Sequence, residues 1–324
     1  MTTPARDLGH PTITVGISTY NRVGQTFPAA LRSALAQDYP GLDVVVCDNA
    51  SDDQTQAFMH DQRDPRLRYV RHPTNIGADA NFNACLDHAR GEYFLLLHDD
   101  DLLEPGFAER AAETIAGSRP GVALGGTRLI DHAGTTTGTA PAPPLNAGGA
   151  GLFEAWFGRR TSFYFCSTLF HTARLREHGG FASPEGLFQD VVAIARLVAV
   201  AGYVSVPGMI GSFRRHDANR GGSSHALRWT RDAEYLLDLL QELYPDAEER
   251  LRVLGAPYLA AKCYRYVESV ASPLERWRLY RHIDRRFGHA QSPWTYLVGE
   301  HLRRLRRRLG QARRDILGHS SPSH

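Results

Sequence analysis

Through the first hundred residues, short apolar runs alternate with stretches of helical period. Ile13, Val15 and Ile17 alternate along TITVGIS and give way to Thr19-Tyr20-Asn21-Arg22, the signature of a strand ending in a polar turn. Val23, Phe27, Leu31, Ala34 and Leu35 then recur at helical spacing up to Gln37. After Pro40-Gly41, the run from Leu42 to Cys47 reads as a buried strand, and Ser51 or Asp52 is placed to cap a helix ending near Gln62. A third strand is predicted over Leu67 to Val70, a third helix over Asn75 to Ala89, and a fourth strand over Tyr93 to Leu97. The order βαβαβαβ implies a parallel sheet with right-handed crossovers and helices on both faces. Polar residues gather after strands one, two and four, so these three groups should share one edge of one sheet.

The second half is less regular. Pro105 to Ala116 reads as a helix and Val122 to Ile130 as a strand, followed by a Thr/Pro/Ala/Gly-rich stretch over 134–150 that suits a loop. Gly151 to Phe170 is dense in aromatic residues and could be core or a stacking surface for an acceptor. A short helix over Thr172 to Glu177 ends at Gly179-Gly180, and Phe188-Gln189-Asp190 opens another helix. Tyr203 to Val206 and Met209 to Phe213 read as two short strands, and from Ala226 onward the pattern is helical.

A net charge of +2 over 324 residues offers no global field for nucleic acid. The four cysteines show no CxxC spacing and read as buried thiols of a reducing compartment. The N-terminus lacks the basic and apolar regions of a signal peptide, and the most apolar run, Val191 to Val206, is broken by Arg196 and Gly202. A soluble, cytoplasmic protein is expected. Its charge is uneven, however. Between Trp294 and Leu317, apolar Trp294, Val298, Leu302, Leu305, Leu309 and Ile316 are interleaved with seven arginines. Such a basic amphipathic helix can make peripheral contact with the inner face of a membrane or dock on its own domain.

The chemistry concentrates at Leu95 to Pro105, LLLHDDDLLEP, where an apolar run stops abruptly at His98, Asp99, Asp100 and Asp101. Open α/β sheets bind ligands beyond the carboxyl ends of their strands. Three adjacent carboxylates repel one another unless a cation sits among them, and a divalent metal with oxygen ligands suits them. The competing reading is an acidic turn capping the helix that follows.

VGISTYNR, VVVCDNASDDQT and NIG…GEYFLLLHDDDLLEP, with the later GGF…QDV and FRRH, stand in the order and spacing of a known family. Together they resemble the inverting GT-A glycosyltransferases of family 2, over roughly residues 12–225. The resemblance implies an α/β, Rossmann-like GT-A fold: a mostly parallel central sheet flanked by helices, with a C-terminal helical extension. Residues 12–104 would form the nucleotide-sugar half, 105–225 the acceptor half, and 226–324 a helical region outside the likeness. It implies a nucleoside-diphosphate sugar donor, UDP or dTDP being favoured, with Thr19, Tyr20, Arg22, Asp48, Asp53, Asn81, Asp99 and Arg214 on the donor. Asp48 would read the base edge, since a carboxylate accepts the imide N–H of uracil or thymine. Asp100 would hold Mg²⁺ or Mn²⁺, with Asp101 and His216 supporting, and Asp190 would be the catalytic base.

The chain also departs from the family pattern. His98 replaces the first Asp of the usual Leu-Asp-x-Asp-Asp, Gln189 replaces the Glu before the base, and Ala80 stands where an Arg often precedes Asn81. The acceptor is not legible. Two alternatives belong beside the enzyme: a GT-A module that binds nucleotide or carbohydrate without catalysis, and a nucleotidyltransferase. The latter would need a Gly-rich phosphate loop where Ser18-Thr19-Tyr20-Asn21-Arg22 stands.

Overall fold

The computed structural model describes residues 9–145, 147–215 and 223–302. His216 and the basic stretch from residue 303 onward lie outside the described residues.

The predicted βαβαβαβ segment forms as β1 (Ile13–Thr19), α1 (Phe27–Leu35), β2 (Leu42–Asp48), α2 (Thr55–His60), β3 (Leu67–Arg71), α3 (Ala78–Asp87) and β4 (Tyr93–His98). Its four strands are parallel in the order β3-β2-β1-β4. Alternation along β1 sends Ile13, Val15 and Ile17 to one face, where they pack with Val44, Val46, Leu95 and Leu97 beneath α1. The other face takes α3, and Gly16 lets that helix approach: a Cβ there would stand within 3 Å of the Phe94 ring and Cys85. Fully burying a side chain such as Phe27 or Leu31 is worth about 1.5–3 kcal/mol, so this layer supplies much of the driving force.

The chain continues through β5 (Leu102–Leu103), α4 (Phe107–Ile115), β6 (Val122–Ile130), β7 (Thr136–Ala140), α5 (Gly148–Phe157), β8 (Thr168–His171), α6 (Thr172–Glu177), α7 (Gln189–Ala201) and β9 (Tyr203–Arg214). Antiparallel pairing of β8 with β4 joins these strands to the first four, giving one nine-stranded sheet among the described residues. The longest ladders are parallel, including β6 with β9, while β5, β7 and β8 pair antiparallel. The aromatic stretch is largely core: Phe153, Trp156, Phe157, Phe163 and Phe165 are all buried.

Three local expectations need correction. The 134–150 stretch is not all loop, because β7 adds to the sheet edge, its weak sequence pattern outweighed by pairing with β6. The two short strands after α7 are one strand, β9, which crosses Pro207-Gly208 where the β6 ladder shifts register between Gly125 and Thr127. Neither Ser51 nor Asp52 caps α2. Asp53 accepts the Thr55 N–H at 2.9 Å instead, while Ser51 Oγ accepts the Asn21 N–H.

Helices α8 (Ser223–Leu243), α9 (Glu248–Val267) and α10 (Pro273–Arg286) follow, and residues 293–302 are again helical. The chain divides into two compact units, Met1–Ala218 with Tyr235–Arg252, and Asn219–Glu234 with Val253–His324. Within the second, Tyr264, Tyr280 and Tyr296 cluster with ring centroids 5.1–6.4 Å apart, and Tyr296 donates to Glu268 at 2.6 Å. No helix among the described residues is long and apolar enough to cross a membrane.

Candidate active site

Register sets the site. Thr19 pairs with Asp48 and Ser18 with His98, so the polar ends of β1, β2 and β4 stand side by side. A cavity of about 340 Å³ opens over them, its wall including Thr19, Tyr20, Arg22, Asn81, Asp99 and Asp100. Six of the residues expected from the sequence therefore meet in one place.

Asp99 is tied to the end of β1: its Oδ2 accepts from Thr19 Oγ1 at 2.8 Å and from the Tyr20 N–H at 3.3 Å. Burial pushes its carboxyl up to about 6. Asn81, buried on α3, donates to Ser18 Oγ at 2.7 Å and to the Cys47 carbonyl at 3.0 Å, and its Oδ1 lies 3.0 Å from His72 Nε2. It joins β1, β2 and α3 beneath the cavity. Asp48 is fully buried and does not line the cavity: its Oδ1 accepts the Ser51 N–H at 2.8 Å and its Oδ2 the Tyr69 hydroxyl at 2.6 Å. Asp53 accepts from Thr55 and, at 3.3 Å, from the Val23 N–H. Burial works against its ionisation, but these bonds outweigh it and hold the carboxyl low.

The acidic run is held from beneath. Arg214, buried at the end of β9, donates from Nε to the Asp100 carbonyl at 2.8 Å, and from Nη1 to the Asp131 and His132 carbonyls at 2.7 and 3.0 Å. Its backbone N–H donates to Asp101 Oδ1 at 2.8 Å. These three guanidinium bonds all end on backbone carbonyls. Burial, then the neighbouring Asp100 charge, pushes the Asp101 carboxyl well above the usual range.

His98, Asp100 and Asp101 each offer one donor atom, all within 4.8 Å of one another. The His98 ring stacks on Phe82 at 4.9 Å and lies 5.2 Å from Phe165. Its Nε2 is buried without a hydrogen-bond partner. Burial lowers the pKa of this imidazole, favouring the neutral form that can ligate a metal. An imidazole with a ring nitrogen within reach of two carboxylates fits a small divalent cation such as Mn²⁺ or Mg²⁺. These residues therefore suit the cation that the sequence called for, with His98 as an added candidate ligand.

Asp190 lies in the first turn of α7, accepting its neighbour Val191's N–H at 2.8 Å. Beside it, buried Gln189 donates from Nε2 to Asp79 Oδ1 at 3.1 Å. Asp79 sits between Ala78 and Asn81, so this bond fixes the start of α7 against the helix that walls the cavity. Asp190 is not itself among the cavity's lining residues.

Sequence reasoning passed over Asn49, Asn75 and Phe82, all in the cavity wall. Asn49 and Asn75 bond side chain to side chain at 2.9 Å, and Asn49 Oδ1 accepts the Ile76 N–H at 2.8 Å. The available signal was Asn75-Ile76-Gly77: Gly77 has φ +87° and heads α3, a turn that positions donors rather than apolar packing.

A ligand cavity at the carboxyl ends of β1, β2 and β4, walled by an acidic run, defines a GT-A-type α/β protein. Residues 14–174 match Glycosyl transferase family 2, and the chain belongs to that family. Among its relatives is the succinoglycan biosynthesis protein ExoO of Rhizobium meliloti, 35% identical over 103 residues, covering 32% of this chain and 29% of ExoO. The chain spans about a third of the length of the curated relatives it matches. The fold is shared with S. aureus TarS 1-349 in complex with UDP-GlcNAc, at a TM-score of 0.55, 16% identity, and coverage of 86% of this chain and 92% of that one. It is also shared with the mannosyltransferase PcManGT of Pyrobaculum calidifontis in complex with GDP-Man and Mn2+, at a TM-score of 0.50, 18% identity, and coverage of 92% and 88%.

Proposed function

We propose that this chain is a metal-dependent, inverting glycosyltransferase that moves a sugar from a nucleoside-diphosphate sugar to an acceptor nucleophile. The observation behind this reading is the cavity that places Thr19, Tyr20, Arg22, Asn81, Asp99 and Asp100 together at the sheet edge. Thr19, Tyr20, Arg22 and Asn81 contact the donor, with Asp99 towards the ribose. Asp48 and Asp53 act on the donor by holding the turn after β2, and Arg214 by holding the acidic run. Asp100, with His98 and Asp101, holds Mn²⁺ or Mg²⁺, and His216 is a further candidate ligand. When bound, the cation neutralises charge on the departing diphosphate. TarS supports UDP as the nucleotide and PcManGT supports Mn²⁺.

In the reaction, the acceptor oxygen attacks C1 as the bond from C1 to the diphosphate oxygen breaks, and that electron pair leaves on the diphosphate. Asp190 takes the acceptor's proton, giving inversion in one displacement. A thermal-shift panel of UDP, dTDP and GDP, each with and without Mn²⁺, tests donor binding, because a ligand of the native state raises its apparent stability. Donor hydrolysis in Mn²⁺ then separates an enzyme from a binding module. No Mn²⁺-dependent shift with any of the three would overturn the reading. Binding without hydrolysis or transfer would leave only the module.

A further inference from the structure

The helical segment 293–302 is anchored on one side and bare on the other. Tyr296 packs against Tyr264 and Tyr280 and bonds to Glu268. Trp294, Val298 and Leu302, spaced four residues apart and so along one stripe, are 65%, 58% and 51% exposed. The stripe is widened by α10, whose Trp277 ring lies 5.1 Å from that of Trp294. Leu274, one turn before Trp277, is 61% exposed. Exposed apolar side chains gathered into one patch, rather than scattered, mark an interaction surface.

Charge identifies the partner. Arg278 and Arg281, exposed on α10, follow Leu274 at helical spacing. Residues 273–324 contain twelve arginines and only four acidic residues, in a chain whose net charge is only +2. Apolar side chains led by two tryptophans, with arginines beside them, match the boundary between acyl chains and anionic headgroups. A neutral protein partner would not need the arginines, and a nucleic acid would not need the bare Val298 and Leu302.

We propose that the face formed by Leu274, Trp277, Trp294, Val298 and Leu302 docks on an anionic phospholipid bilayer. This inference is independent of the proposed sugar transfer, because it rests on residues outside the cavity. The test is flotation of the full chain with vesicles of phosphatidylcholine alone or mixed with phosphatidylglycerol, at low and moderate salt. The chain should float with the mixed vesicles and stay behind with phosphatidylcholine. Trp294→Ser with Val298→Ser, both exposed and so expected to leave the fold intact by circular dichroism, should lower binding about tenfold or more. Arg278→Glu with Arg281→Glu should weaken binding to the mixed vesicles, at about fivefold per arginine lost. Equal flotation on both vesicle types, none on either, or unchanged flotation of the serine variant would overturn the proposal. So would a concentration-dependent dimer in the wild type that the serine variant dissociates, which would make this face a contact between copies.

Discussion

Gln189 donates its side-chain amide to Asp79 at 3.1 Å, and this bond links the first turn of α7 to the helix that walls the cavity. A glutamate at 189 would set two carboxylates against each other. The closeness is reinforced by Gly186, where φ is +73° and a Cβ would collide with the Asp79 carboxylate. The amide is thus what this α3 requires, even though the family pattern has an acid there. Gln189→Glu should destabilise the protein by about 1–3 kcal/mol, the cost of a buried polar group that loses its partner. Asp79→Asn in the same chain restores a donor facing a carboxylate and should recover most of the loss. Urea denaturation of the four proteins of this double-mutant cycle measures the coupling; strictly additive losses would show that the two residues do not act together.

Asp190→Asn keeps the shape of the side chain and its ability to accept a backbone N–H, since Asn caps about as well as Asp. It removes the proton acceptor. Transfer should fall by about 10²–10⁴ with donor affinity nearly unchanged. Near-normal transfer would reduce Asp190 to a helix-start residue, and lost donor affinity would move it to the donor side.

Asp100→Ala should leave the fold intact and abolish the Mn²⁺-dependent part of the nucleotide thermal shift. At a ligand concentration of a hundred times Kd, the wild type should gain about 2.7 kcal/mol from that binding. His98→Asp tests the neighbouring nitrogen. An imidazole favours first-row transition metals over Mg²⁺, so the variant should lose part of its preference for Mn²⁺ in a competition titration. An unaltered preference would mean that the ring only packs between Phe82 and Phe165.

Arg214→Ala deletes the bonds to the carbonyls of Asp100, Asp131 and His132. Groups that orient metal ligands are typically worth about 10–100-fold in affinity, so Mn²⁺ binding with nucleotide should weaken by that order. A variant that loses nucleotide affinity equally with and without metal would instead put the guanidinium on the donor phosphates.

Strands β1, β2 and β4 were legible because apolar residues dominate each of them and polar ones stop it, and those stops define the edge where the cavity lies. Thr19, Tyr20, Arg22, Asp99 and Asp100 could be named from that edge and from the family likeness. Strand β7 was not legible, since its Thr and Gly residues are mostly exposed and only pairing with β6 makes them a strand. The bonds of Asn49 to Asn75 and Gln189 to Asp79 escaped for another reason: they join residues 26 and 110 positions apart, which local periodicity does not register. His98 was noted only as a departure from a motif. Its orphaned nitrogen appears once Phe82 and Phe165 close around the ring.

β1 has one neighbour on each side, and both are aligned to it residue for residue. It therefore acts as the ruler for the cavity end of the sheet. A residue gained or lost between Ile13 and Thr19 would turn every following side chain to the opposite face, displacing Ser18 and Thr19 from their partners together. The segment joining β6 to α5 pairs with the sheet through β7 at its margin, and otherwise meets β9 through the bonds of Tyr203, Ser205 and Arg214 to its backbone carbonyls, with no pairing to β1. Length changes there leave the ruler untouched. A change of length in that segment is therefore expected to leave the register of β1 with β2 and β4, and the cavity built on it, intact.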